Sequence, residues 1–233
     1  MCLECDCGLP AAPAHRHLEL GERLLVRNDE QATANRQRFA AAGVRVINLL
    51  SSPGSGKTAL LERMARDRNS PASMAVVVGD LATDNDARRL QSAGVRAVQI
   101  TTGQTCHLEA SMVGQALDRL DLGAIQLLVI ENVGNLVCPA AYDLGEELRV
   151  VLLSVTEGED KPLKYPATFH SADVVVITKI DLAQACDFDL PHARRHIERV
   201  APRARIVELS ARTGDGMAEL YGALEGVRLA AVG

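Results

Sequence analysis

Short apolar runs rich in Val, Ile and Leu recur along the chain: "VRVINLL", "MAVVVGD", "RAVQIT", "IQLLVIE", "RVVLLSV", "DVVVIT" and "RIVELS". Each is nearly continuous rather than alternating, the pattern of a strand buried on both faces. Charged segments with helical spacing, such as "DNDARRLQSAG" and "PHARRHIERVA", separate most of them. That order predicts an α/β domain with a mostly parallel, doubly wound sheet and helices on both faces. Residues 19–42 have helical composition, and Gly43 can stop that helix. Residues 1–18 are Cys-, Pro-, Ala- and His-rich without hydrophobic periodicity. They read as a flexible Cys-rich arm ahead of one domain over 19–233.

The 233 residues fit one such domain, and with aromatics at 3% and no Trp its core must be aliphatic. A net charge of -5 gives no polyelectrolyte reason to expect a nucleic-acid partner. No apolar run approaches the roughly 20 residues that span a bilayer. The N-terminus lacks a basic region followed by an apolar core, so the expected location is the cytoplasm, away from membrane.

Ligands of parallel sheets bind beyond the carboxyl ends of the strands. The segments there are "SSPGSGKT", "GDLATDND", "TTGQTCH", "ENVGNLVC", "VTEGEDK", "TKID" and "SART". The first approximates the phosphate-loop pattern G-x-x-x-x-G-K-[ST], with Ser51 in place of the first Gly and with Gly54, Ser55, Gly56, Lys57 and Thr58 following. Small residues let backbone N–H groups turn around phosphates, backed by the positive end of the next helix. Lys57 would reach the β- and γ-phosphates, and the Thr58 hydroxyl would ligate Mg²⁺. Asp80 and Glu131 each close an apolar run. Asp80 is the first choice for the magnesium ion and for organising attacking water, with Glu131 in support. Gly134 could give its N–H to the γ-phosphate.

Thr178-Lys179-Ile180-Asp181 resembles the guanine-reading N-K-x-D motif of GTPases, with Thr in place of Asn. Asp181 would accept from the guanine N1–H and exocyclic amine, Lys179 would cover the purine face, and Ser210 and Ala211 would lie near O6. These residues select GTP and GDP over adenine nucleotides.

The cysteines are not spaced at random. Cys2, Cys5 and Cys7 form C-x-x-C-x-C, three thiols that can wrap one soft or borderline ion, with His15 and His17 or the α-amino group as further donors. Cys106 and His107 are adjacent, expected at the start of a helix over "CHLEASMVGQALDRL", and Cys138 follows on the same sheet edge. The three can serve one ion, or Cys138 can be an inert packing thiol. Cys186 stands alone as a packing or surface thiol.

Across "MCLECDCG", "SSPGSGKT", "TGQTCHLEASMV", "ENVGNLVCPA", "EGEDKPLKYP" and "TKIDL" the chain resembles the HypB family, hydrogenase maturation GTPases and nickel chaperones. The resemblance implies a P-loop NTPase that hydrolyses GTP slowly, dimerises with nucleotide or metal, and delivers nickel to the [NiFe]-hydrogenase large subunit with companion maturation proteins. It implies a high-affinity nickel arm at Cys2, Cys5 and Cys7, and a weaker Ni²⁺ or Zn²⁺ site at Cys106, His107 and Cys138. Asp6 stands where a Gly is common in that arm, Gln104-Thr105 replaces a frequent Lys-Gly, and the histidine-rich tract of some members is reduced to "HRH". Two other readings stay open: a metal-sequestering GTP-binding protein without hydrolysis-coupled transfer, and a nickel GTPase of the urease-accessory type.

Overall fold

A computed structural model describes residues 13–230, with side chains over 23–226. Cys2, Cys5 and Cys7 lie outside the described residues. The strands are β1 (Arg45–Ser51), β2 (Met74–Asp80), β3 (Arg96–Thr101), β4 (Leu127–Glu131), β5 (Leu148–Ser154), β6 (Val174–Thr178) and β7 (Arg205–Leu209). They coincide with the apolar runs. All pair in parallel, in the order β3-β2-β4-β1-β5-β6-β7. β1 lies between β4 and β5, so the loop after it opens at the centre of the carboxyl edge. The register sets Leu49 beside Glu131 and Ser154 beside Thr178, which brings the polar strand ends level.

The helices are α1 (Pro13–Ala42), α2 (Lys57–Arg66), α3 (Asn85–Ser92), α4 (Ala110–Leu117), the short α5 (Lys161–Lys164) and α6 (Pro166–His170), α7 (Leu190–Val200) and α8 (Met217–Ala230). Both faces of the sheet are covered. Leu61 and Met64 of α2, Leu90 of α3 and Leu220 of α8 pack on one set of strand positions, including Leu49, Val76, Val129 and Val176. Phe39 of α1 and Val113 and Leu117 of α4 cover the alternate set around Val77 and Ile130. Phe169 and Ile197, from α6 and α7, cover the far half of that face around Val151 and Ile177.

Two boundaries differ from expectation. Helix α1 begins at Pro13 rather than near residue 19, so His15 and His17 fall within its first turns. Helix α4 begins at Ala110, not at Cys106. The reason lies in α1, whose buried Asn28 and Asn35 meet the start of α4. Asn28 Oδ1 accepts the Ala110 N–H at 2.9 Å, and Asn35 Nδ2 donates to the Ala110 carbonyl at 2.8 Å. Glu109 is extended there (φ -105, ψ 154), which leaves Cys106 and His107 in a loop. No helix among the described residues is long and apolar enough to cross a membrane.

Candidate functional site

The loop after β1 passes through two left-handed glycines, Gly54 (φ 73) and Gly56 (φ 98), before α2 begins at Lys57. Only glycine takes those angles without strain, and the result turns successive amides inward at a helix N-terminus. Ser51 is buried and its Oγ accepts from Lys57 Nζ at 2.9 Å and from the Ser55 hydroxyl, while donating to the Ser52 carbonyl. The hydroxyl thus occupies the space that a glycine would leave and fixes the loop from within. Burial lowers the Lys57 pKa, although Glu131 pulls it back up.

A cleft of about 540 Å³ opens over this loop, lined also by Asp80, Asp86, Arg89, Glu131 and Gly134. Glu131 is 2% exposed. Its Oε1 accepts from Thr58 Oγ1 at 3.1 Å, and its Oε2 is buried without a hydrogen-bond partner among the described residues. Burial and the nearby Asp86 push its pKa up to about 7, against the pull of Lys57. Asp80 is the opposite kind of carboxylate. Burial pushes its pKa up, but the N–H groups of Thr83 and Ala82 and the Thr83 hydroxyl bring it below the usual value. All three bonds fall on Oδ1. Oδ2 accepts no hydrogen bond among the described residues, and Asp80 lines the cleft.

An oxygen-only set of Thr58, Glu131 and Asp80, with one buried oxygen unpartnered, fits a hard cation such as Mg²⁺. Thr58 bonds to Glu131 rather than to Asp80. Gly134 closes the cleft tightly, since a Cβ there would meet Pro53 backbone and ring atoms at 3.1 Å.

A second cavity of about 220 Å³ adjoins the first and shares Gly56, Ala59 and Lys179 with it. Asp181, Ser210 and Ala211 line it. Thr178 Oγ1 donates to the Ser55 carbonyl at 2.8 Å, and Lys179, itself left-handed (φ 61), donates Nζ to the Gly54 carbonyl at 2.6 Å. Both anchors tie the strand end after β6 to the phosphate loop. The Ser210 N–H is already donated to the Asp215 carbonyl. Ala211 therefore offers the better-placed amide of the two for a ligand in this cavity.

The third cluster is sulfur-based. Cys106 Sγ, a ring nitrogen of His107 and Cys138 Sγ all lie within 4.8 Å of one another. Cys106 and Cys138 are free thiols, and the His107 ring stacks on Tyr142 at 3.9 Å between centroids and 27°. His107 Nε2 is buried without a hydrogen-bond partner among the described residues. A hydrogen bond with Cys138 and burial push the Cys106 pKa up, and burial pushes that of His107 down. Two thiols and a largely uncharged imidazole suit a borderline ion, and the spacing needs only a small contraction for bonds of about 2.0–2.3 Å. Cys186 is exposed and far from this role.

The segment from Glu131, the last residue of β4, to Cys138 touches both the phosphate cleft and the sulfur cluster. Glu131 holds Thr58, Asn132 accepts the Leu108 N–H at 3.2 Å, Asn135 Nδ2 reaches the Cys106 carbonyl at 3.4 Å, and Cys138 completes the cluster. Leu108 is gripped from the other side by Gly79, where a Cβ would collide with its side chain at 2.8 Å. Asn132, Asn135, Leu108 and Gly79 carried no sequence signal of their own. Asp86 and Arg89 did carry one, a charged i,i+3 pair just after Asp80, now at the cleft wall.

Residues 45–208 match the CobW/HypB/UreG nucleotide-binding domain. The hydrogenase maturation factor HypB of Azotobacter vinelandii is 50% identical over 225 residues, which is 95% of this chain and 74% of that protein. The chain belongs to the HypB family. The crystal structure of HypB from Helicobacter pylori in complex with nickel matches it with a TM-score of 0.78 at 43% identity, covering 88% of this chain and 94% of that one. HypB from Archaeoglobus fulgidus matches with a TM-score of 0.81 at 38% identity, covering 87% of this chain and 99% of that one. A nucleotide-binding P-loop fold with maturation factors as relatives is thus established, consistent with the phosphate cradle.

Proposed function

We propose that this chain is a GTP-hydrolysing metallochaperone that carries nickel to a [NiFe]-hydrogenase large subunit during its maturation. One observation carries the reading: a single segment, Glu131 to Cys138, joins the phosphate cleft to the two-thiol, one-imidazole cluster. The relatives' names as hydrogenase maturation factors and the nickel in the Helicobacter pylori structure support it.

In this reading the amides of Gly54 to Thr58 and the Lys57 ammonium bind the β- and γ-phosphates. Asp181 accepts from the guanine edge, Lys179 lies against the purine, and Ala211 donates toward O6. Thr58, Glu131 and Asp80 would hold Mg²⁺, which when bound offsets charge on the terminal phosphates. Asp80, kept ionised by its three hydrogen bonds, orients water for attack. Gly134, pressed against Pro53, senses the γ-phosphate.

Nickel is cargo. Cys2, Cys5 and Cys7 capture it, and Cys106, His107 and Cys138 hold it in the domain, where zinc can compete. Three ligands leave the shell open, and Val137, 63% exposed beside Cys138, offers an apolar contact to a second copy. A homodimer promoted by nucleotide or metal would close both, with companion maturation proteins and the hydrogenase large subunit as further partners.

The test is nickel transfer from the purified, nickel-loaded protein to a chromogenic chelator. Faster release during GTP turnover than with GDP supports the reading. GTP hydrolysis without any change in release would make the chain a sequestering protein instead.

A further inference from the structure

Helix α7 carries two histidines, His192 and His196, four residues apart and therefore on one face. Their ring centroids are 4.2 Å apart and the planes are tilted by 52°. His192 is exposed and His196 half-buried, while Ala193 and Ile197 on the neighbouring face enter the core. The pair stands at the protein surface, outside the nucleotide cleft and outside the Cys106–His107–Cys138 cluster.

His196 Nδ1 lies 2.7 Å from the Glu159 carbonyl oxygen. A carbonyl can only accept, so Nδ1 carries a proton and Nε2 is the nitrogen open to a cation. Ligating histidines are held in this way, with one ring N–H on a backbone carbonyl and the other nitrogen free for the ion. The same acidic residue also organises the other half of the pair. Glu159 Oε1 accepts the Asp189 N–H at 2.8 Å, and Asp189 Oδ1 accepts the His192 N–H at 2.8 Å. Glu159 and Asp189 thus fix the backbone of the first turn of α7, which carries His192.

We propose that His192 and His196 form a separate cation site, a two-imidazole clamp for a borderline divalent ion such as zinc, nickel or cobalt. Histidines at i and i+4 on a helix are a recurrent ligand pair, and imidazole suits these ions while magnesium and calcium prefer oxygen. Two protein ligands leave the remaining positions to water, so the ion exchanges readily, unlike one in a closed four-ligand structural site. This site does not depend on the chain being a GTPase or a nickel carrier.

The test uses the full chain without any appended histidine tag, with all six cysteines changed to Ser so that thiol sites are removed. Zinc is titrated while imidazole nitrogen resonances are followed by NMR. The expected result is a saturable shift of His192 and His196 Nε2, with His170 unmoved. His196→Ala and His192→Ala should each weaken zinc by roughly tenfold or more, the usual scale for losing a metal-site group. His192→Gln, conservative at an exposed position, should do the same without disturbing the fold. Shifts confined to other histidines, or variants that bind zinc as tightly as the parent, would overturn the proposal.

Discussion

The backbone N–H of Leu108 donates to Oδ1 of Asn132 at 3.2 Å, and both residues are fully buried. Asn132 follows Glu131, the partner of Thr58, and Leu108 follows His107. One side-chain hydrogen bond therefore joins the wall of the phosphate cleft to the sulfur cluster. Asn132 is itself pinned through Nδ2 to Asn48 on the central strand, at 3.4 Å. A movement of the Glu131–Cys138 segment on loss of the γ-phosphate would reach Cys138 directly, and Cys106–His107 through this bond and the Asn135 contact to the Cys106 carbonyl.

Asn132→Ala removes the acceptor and leaves the buried Leu108 amide unpaired, at a cost of about 1–3 kcal/mol. Urea denaturation should show that loss. Metal affinity at Cys106, His107 and Cys138 should fall with it. Unchanged stability and metal affinity would mean that the bond does not couple the two sites.

Much of this was legible in the sequence. The parallel sheet followed from continuous Val- and Ile-rich runs, and once those strands were parallel the loops had to gather at one edge. Gly54, Gly56, Lys57 and Thr58 announce a phosphate cradle because few other contacts need that order of residues. What the sequence withheld was tertiary. The start of α4 at Ala110 depends on Asn28 and Asn35, buried residues of a distant helix, a contact that local pattern does not encode. The pairing of Thr58 with Glu131, rather than Asp80, depends on the adjacency of β1 and β4, which periodicity does not fix.

Asp181→Asn should weaken GTP and improve xanthine-nucleotide binding, because an amide replaces the carboxylate that accepts from guanine. Competition binding with GTP, XTP and ATP reads this out. Equal affinity of the parent for ATP and GTP would remove the guanine assignment.

Lys57→Ala and Thr58→Ala should each abolish GTP hydrolysis while leaving nickel capture by Cys2, Cys5 and Cys7 intact. Phosphate release and nickel stoichiometry, measured on the same folded preparations, give the two readouts. Loss of both together would contradict separable modules.

Glu131 makes the stability of the nucleotide-free protein depend on pH. Its folded pKa of about 7 lies above the ordinary 4.5, so the folded state favours the proton. The stabilising contribution is complete below 4.5 and is lost as pH rises through 7. The full shift is worth roughly 3 kcal/mol. Glu131→Gln should flatten this dependence and stabilise the free protein at pH 8 by about 1–3 kcal/mol relative to its effect at pH 4.5. Parallel stability profiles for the two proteins would place the carboxylate in water-like surroundings.

The most direct measurement is a nickel titration of the variant with Cys2, Cys5, Cys7 and the exposed Cys186 changed to Ser, in which only the domain cluster of Cys106, His107 and Cys138 retains thiol ligands for the ion. It is run once with GDP and once with a non-hydrolysable GTP analogue. If the Glu131–Cys138 segment transmits nucleotide state, the two affinities should differ by roughly 5–150-fold, the span of ordinary allosteric coupling. By reciprocity, nickel must then change the affinity ratio of the two nucleotides by the same factor. Identical nickel affinities in the two states would make the cluster a static site and contradict the coupling.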